Sequence, residues 1–118
     1  MAENNCLFCR IISGEIPSEK VYEDDEICAF KDINPAAAVH VLIVPKIHID
    51  SLNSVNQSDT NTEFAAHILV KIPEIAKILG IYDGGYRVIT NIGKDGGQSV
   101  KHLHFHVLGG EKLPVSPV

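Results

Sequence analysis

His102-Leu103-His104-Phe105-His106-Val107-Leu108 is the stretch that decides the fold and the chemistry of this chain. From His102 to Val107, histidines and apolar residues alternate strictly. On a β-strand, side chains two positions apart share a face. Three imidazoles therefore point one way, with roughly 7 Å between successive rings. Leu103, Phe105 and Val107 point the other way, into a core. Three histidines on one face are a poor choice for stability alone, because each ring has two nitrogens that need water or a partner. A merely solvated sheet face would use Thr, Lys or Glu. Two chemistries remain open: a metal site using two or three of these rings, or nucleophilic and acid–base chemistry on an imidazole.

The residues just before the stretch bear on that choice. Asn91-Ile92-Gly93-Lys94-Asp95-Gly96-Gly97-Gln98-Ser99 is a glycine-rich loop. It can offer backbone N–H groups, an amide and a hydroxyl, so it can cradle an anion without net positive charge. Placed directly before three histidines, it suggests a phosphate bound beside imidazole.

Further out, the pattern is α+β in one domain, residues 1–118. Phe8, Ile11 and Ile12 predict a short helix over Leu7–Ser13, stopped by Gly14. Lys20–Glu23 and Glu26–Lys31 read as a hairpin around Asp24-Asp25. Val39–Val44 is a β-branched strand ended by Pro45. One long helix is predicted from Asp59 or Thr60 to Leu79, with Thr60 and Glu63 as a capping box and Gly80 as the stop. Its apolar stripe is Phe64, Ile68, Leu69, Ile72, Ile75, Ala76 and Leu79. Pro73 lies inside it and should kink or loosen it. Tyr86–Asn91 and Lys101–Leu108 are the last strands, and the tail Leu113–Val118 cannot be a regular helix. About five antiparallel strands leave a sheet with edges, which invites a second chain.

Composition narrows the function. The chain has 118 residues, 45% hydrophobic and 21% charged, enough for one core and too apolar for disorder. Its net charge of −5 disfavours a nucleic-acid groove but leaves room for one nucleotide held by local donors. No apolar run is long enough to cross a membrane. The first residues resemble no secretory signal, so the expected setting is a reducing cytoplasm. Of three cysteines, Cys28 sits in an apolar run as core filler. Cys6 and Cys9 form a C-x-x-C pair, open to a zinc half-site, a redox pair or two core thiols. The redox reading wants a βαβ context that this order of elements does not supply.

The run Gly96–Gly110, with its His-Leu-His-Phe-His-Val-Leu core, closely resembles the signature of the histidine-triad (HIT) family. The Gln98-Ser99 before it and Leu108-Gly109-Gly110 after it look like the Hint-type branch. Cys6-Leu7-Phe8-Cys9-Arg10-Ile11-Ile12, Gly14-Glu15-Ile16-Pro17, Asp32-Ile33-Asn34-Pro35, His40 and Pro45-Lys46-Ile47-His48 match in order and spacing. The resemblance implies a purine nucleoside phosphoramidase that cleaves a nucleoside monophosphate from an amine through a nucleotidyl-histidine. It implies His104 as nucleophile, with His106 and Ser99 as phosphate-side donors and His40 as a further active-site histidine. Asn91 and Gln98 would lie near the phosphate. Asp32 would accept from the ribose, and Phe8, Ile11, Ile33 and Leu42 would wall the base pocket. In zinc-bearing relatives the ligands match Cys6, Cys9, His48 and His102, a closed structural site. The resemblance also implies a homodimer, acting on a purine nucleoside monophosphate or its phosphoramidate or adenylate, and no nucleic acid.

Rival readings carry their own signals. Gly109-Gly110 and the N-terminal motif argue against a dinucleoside polyphosphate hydrolase. His106 argues against the transferase relatives, which carry glutamine at the third position. A zinc-stabilised nucleotide-binding or interaction module would use the same residues with weak turnover. His67 lies off the helix stripe and reads as an incidental surface residue.

Overall fold

The alternation of residues 27–31 and 39–45 builds the centre of the sheet. The computed structural model describes residues 5–114, so the expectation for the tail beyond Pro114 falls outside the described residues. In chain order the elements are α1 (Leu7–Ile12), β1 (Lys20–Glu23), β2 (Ile27–Lys31), β3 (Val39–Pro45), α2 (Asp59–Leu79), β4 (Tyr86–Ile89) and β5 (Phe105–Gly109). A 3-10 turn over Leu52–Gln57 precedes α2 and has no counterpart in the sequence reading. The five strands form one antiparallel sheet in the order β1-β2-β3-β5-β4. This is the expected α+β architecture.

The period of two divides the sheet between two cores. Ile27, Ala29, Val41, Ile43, Phe105 and Val107 pack with Ile68, Ile72 and Ile75 of α2. Cys28, Phe30, Leu42 and Val44 pack with Phe8 and Ile11 of α1. Burying a Leu, Ile or Phe in such a core is worth about 1.5–3 kcal/mol. The α1 face is the functional one, because it receives the histidines. Cys28 is fully buried, as expected, and burial pushes its thiol pKa up.

Several local expectations need correction. The last strand begins at Phe105, not Lys101. The pairing that would extend it stops first: β3 runs on to Pro45 but pairs with β5 only as far as Ile43 opposite Phe105, and β4 ends at Ile89 opposite His106. The main chain of residues 102–104 is held by other bonds, among them Leu103 N–H to Ile49 O at 2.6 Å. Similarly, β4 stops short of Asn91. The cap of α2 is Ser58, whose hydroxyl accepts from Asn61 N–H at 3.0 Å, two residues ahead of the expected Thr60 box. Gly80 closes α2 at φ 77°, a left-handed cap that suits glycine.

Within α2, Leu69 is 58% exposed rather than part of the core. Pro73 does not break the assigned helix. It lies on the exposed side, where the carbonyl that lacks its donor, that of Leu69, is within reach of water. His67 is not incidental. Its Nε2 donates to Asp24 Oδ2 at 2.7 Å, which ties α2 to the β1–β2 turn. Burial would raise the Asp24 pKa, but the bonds from His67, from the Glu26 and Ile27 N–H groups and from Tyr22 together hold it well below the usual carboxylate range.

Candidate active site

Each histidine of the triad is fixed by what its other ring nitrogen does. His104 is 3% exposed, and its Nδ1 lies 2.7 Å from the main-chain O of His102. A carbonyl only accepts, so Nδ1 carries the proton and Nε2 keeps its lone pair. The Phe8 ring meets His104 edge-on at 4.9 Å and limits its rotation. Burial lowers the His104 pKa, outweighing the His102 carbonyl, so the ring is neutral at pH 7.

His106 is set by a relay. The Ala36 N–H donates to His40 Nδ1 at 3.0 Å. His40 must then carry its proton on Nε2, which lies 2.9 Å from His106 Nδ1. That leaves His106 with its proton on Nε2, as a donor to a ligand. Desolvation, then the neighbouring His104 and His40, lower its pKa to about 4. Asp32 Oδ1 accepts from Asn34 N–H at 2.8 Å, and its Oδ2 lies 3.6 Å from His40 Nε2. Asp32, His40 and His106 converge within 4.8 Å. The Ala36 bond wires them as a chain of donors and acceptors rather than as a metal cage.

A cleft of about 330 Å³ opens on this face. Phe8, Ile11, Asp32, Ile33, Leu42, Ser99, His104 and His106 all line it, so eight of the expected residues come together. Ile33 is 90% exposed at its rim. His40 lines an adjoining depression and meets the cleft through His106 and Asp32. Asn91 and Gln98 do not line the cleft. Asn91 Nδ2 donates to Gly96 O at 2.8 Å. Gln98 Nε2 donates to Asp50 O and Val100 O, and its Oε1 accepts from Gly93 N–H. In this structure the Asn91 amide shapes the loop itself, and the Gln98 amide also ties the loop to Asp50.

Ile16, Pro17, Ser18, Phe30 and Val100 also line the cleft and were not expected. Phe30 was within reach of the sequence, since it is paired with Leu42 across β2 and β3. The others come from irregular segments that carry no period. Ser18 Oγ is the one buried side-chain polar atom without a hydrogen-bond partner among the described residues.

The first histidine belongs to a different cluster. Cys6, Cys9, His48 and His102 place one ligand atom each within 4.8 Å of one another, a set that could hold a metal ion. His102 is fully buried, with Nε2 at 3.0 Å from Pro45 O and Nδ1 at 3.3 Å from Cys6 Sγ and 3.4 Å from Cys9 Sγ. His48 Nε2 donates to Asp50 Oδ1 at 2.9 Å, and its Nδ1 lies 3.4 Å from Cys9 Sγ. Both rings thus hold a proton on the far nitrogen and turn a lone pair toward the thiols. Metal-ligating histidines commonly donate their far N–H to a carbonyl or carboxylate in this way.

A five-stranded antiparallel sheet that brings paired imidazoles into one cleft marks out a structural class. Comparisons with known proteins place the chain within it. Residues 5–114 match the family described as "Scavenger mRNA decapping enzyme C-term binding". The chain is 43% identical to the purine nucleoside phosphoramidase of Escherichia coli over 113 residues, which cover 96% of this chain and 92% of that one. It is 47% identical to protein HitA of Neisseria gonorrhoeae, over 90% of this chain and 96% of that one. Its fold matches a histidine triad protein from Clostridium difficile with a TM-score of 0.89 and 54% identity, covering 97% of each chain. A HIT family hydrolase from Clostridium thermocellum matches with the same TM-score and 46% identity, over 99% of this chain and 98% of that one. The chain belongs to the histidine-triad family, and it is a hydrolase.

Proposed function

We propose that the protein is a purine nucleoside phosphoramidase. The observation that carries this reading is the His104 tautomer. Its Nδ1–H is held by the His102 carbonyl, so its Nε2 lone pair is available on the wall of a nucleotide-sized cleft. A neutral imidazole attacks phosphorus without a separate strong base. In the proposed reaction, His104 Nε2 bonds to the α-phosphorus and the P–N bond breaks. The leaving amine departs with a proton taken from solvent, and the nucleotidyl-histidine is left as an imidazolium; the attacking water of the second step gives that proton back. The His102 carbonyl accepts from that cation's Nδ1–H. Water then attacks phosphorus, the nucleoside monophosphate leaves, and neutral His104 returns.

Phosphoryl transfer needs donors on the non-bridging oxygens more than further covalent help. His106 Nε2–H and the Ser99 hydroxyl serve there, with His40 fixing the His106 tautomer. The Asp32 carboxylate takes the ribose hydroxyls, and Phe8, Ile11, Ile33 and Leu42 enclose the purine. Asn91 and Gln98 act through the loop that presents Ser99. The relative named as a purine nucleoside phosphoramidase supports this substrate class.

The Cys6, Cys9, His48 and His102 set suits zinc: two thiolates and two neutral imidazoles balance its charge and fill a tetrahedron. Bound there, zinc would tie α1 to the histidine segment and supply no open coordination position. Thiolate ligands also fit a reducing, cytoplasmic setting, and no described helix is long and apolar enough to cross a membrane. A homodimer is supported by the edge strand β4, where Val88 is exposed, and by exposed Leu69 and Val70 on α2.

The test is hydrolysis of adenosine 5′-phosphoramidate, followed as release of adenosine monophosphate. Turnover abolished by His104→Ala is the expected result. A wild-type protein inert toward all nucleoside phosphoramidates would favour the binding-module reading.

A further inference from the structure

Although His104 lines the cleft, it lies just outside the sheet. The β3 ladder ends at Ile43 opposite Phe105, and the β4 ladder ends at Ile89 opposite His106. A strand register therefore does not set its backbone. Other bonds do so on either side of it. The His102 N–H donates to Val100 O at 2.9 Å, and the Leu103 N–H donates to Ile49 O at 2.6 Å. On the far side, the Thr90 hydroxyl donates to the main-chain O of His104 at 2.7 Å. Thr90 is the first residue after β4, so its side chain continues the grip of that strand one step beyond the ladder.

We propose that Thr90 is a positioning residue for His104, resting on the reading of His104 as the nucleophile. The hydroxyl fixes the carbonyl at one end of the residue, while the His102 carbonyl fixes Nδ1 of its ring at the other. Between them the direction of Nε2 is determined. Without the hydroxyl, the His104 carbonyl loses this donor in a part-buried place, and the peptide turns to find another. Small displacements of an attacking atom are costly in rate, on the order of 10²-fold for about 1 Å. The ground-state contacts of a nucleotide are made by other residues, so binding is spared.

The experiment compares Thr90→Val, which keeps the shape and removes the donor, with Thr90→Ser, which keeps the donor. The expected outcome for Thr90→Val is a roughly tenfold fall in kcat with KM within about twofold of wild type. Thr90→Ser restores kcat. A loss that serine does not restore, or a rise in KM equal to the fall in kcat, would overturn the proposal. Thr90→Ala, which cannot overpack the site, replaces the valine variant if that one fails to fold.

A second readout needs no substrate. In imidazole ¹H–¹⁵N spectra, His104 of the wild type is expected wholly as the Nδ1–H tautomer, and in Thr90→Val as a mixture. Unchanged His104 signals in Thr90→Val contradict the positioning role even if the enzymatic reading fails. An inert wild type that shows the expected spectral change contradicts the enzymatic reading alone.

Discussion

Two clusters share one histidine segment and use the same side chain in opposite senses. At the α1 end, His102 gives its Nε2–H to the Pro45 carbonyl and turns Nδ1 toward Cys6 and Cys9. Two residues on, His104 gives its Nδ1–H to the His102 carbonyl and keeps Nε2 for the cleft. Both rings are buried and neutral, and desolvation lowers both pKa values. Which nitrogen is presented, and to what, depends on the nearest carbonyl. On the proposed reading, the backbone thus fits one imidazole to be a ligand and the next a nucleophile. The two roles are also mechanically joined, since the ring of His102 faces the thiols while its carbonyl orients His104.

The sharpest way to break this division is His104→Ala. If the roles are separate, kcat falls by at least about 10³-fold, while metal content, measured by elemental analysis, stays unchanged. Cys9→Ser should do the reverse. It should abolish stoichiometric zinc and lower unfolding free energy by about 3–5 kcal/mol in denaturant titration. Its effect on kcat should stay well below that of His104→Ala. Equal losses of activity in both variants would merge the two clusters into one functional unit.

Smaller effects refine the cleft side. His40→Ala removes the group that sets the His106 tautomer. A loss of about 10–10² in kcat is expected, below that of removing a direct oxyanion donor. The pH profile gives a gentler test. His104 and His106 have lowered pKa values, that of His106 about 4 against an ordinary 6.5, both mainly from burial. The acid limb of activity, as His104 protonates, should therefore lie at lower pH than an ordinary imidazole would give. Stability follows the same sign: between pH 6.5 and about 4 the unfolded chain binds more protons at His106, so stability falls as pH drops through that window. Last, Ser18→Ala removes the unpartnered buried hydroxyl. It should be neutral or raise stability by up to about 1 kcal/mol in thermal unfolding.

The difference between the clusters also marks how far sequence alone reaches. Alternation along residues 102–107 correctly placed Leu103, Phe105 and Val107 in the α2 core and the histidines on the other side. Apolar periodicity found both helices and all five strands, because it reflects burial directly. It could not find where β5 begins, because that depends on where its pairing with β3 and β4 stops. Nor could it show the Ala36–His40–His106 relay or the two carbonyls that choose the tautomers, since main-chain oxygens carry no residue identity. His67 was misread for a related reason. Its partner Asp24 is 43 residues away, and a polar residue beside a helix stripe looks solvated until the hairpin packs on it. The resemblance placed Asn91 and Gln98 near the phosphate, but it could not show that the Asn91 amide bonds within the loop and the Gln98 amide also reaches Asp50.

The account's central claim is that the His102 carbonyl leaves Nε2 of His104 as the attacking atom. The direct measurement is to trap the nucleotidyl-enzyme in a single turnover of an adenosine phosphoramidate. Its position is then mapped by peptide mass spectrometry, and the phosphorus–nitrogen isomer by ³¹P NMR. The account predicts one adenylyl group on Nε2 of His104. An adduct on Nδ1, or on His106 or His40, or turnover with no covalent adduct, would contradict it.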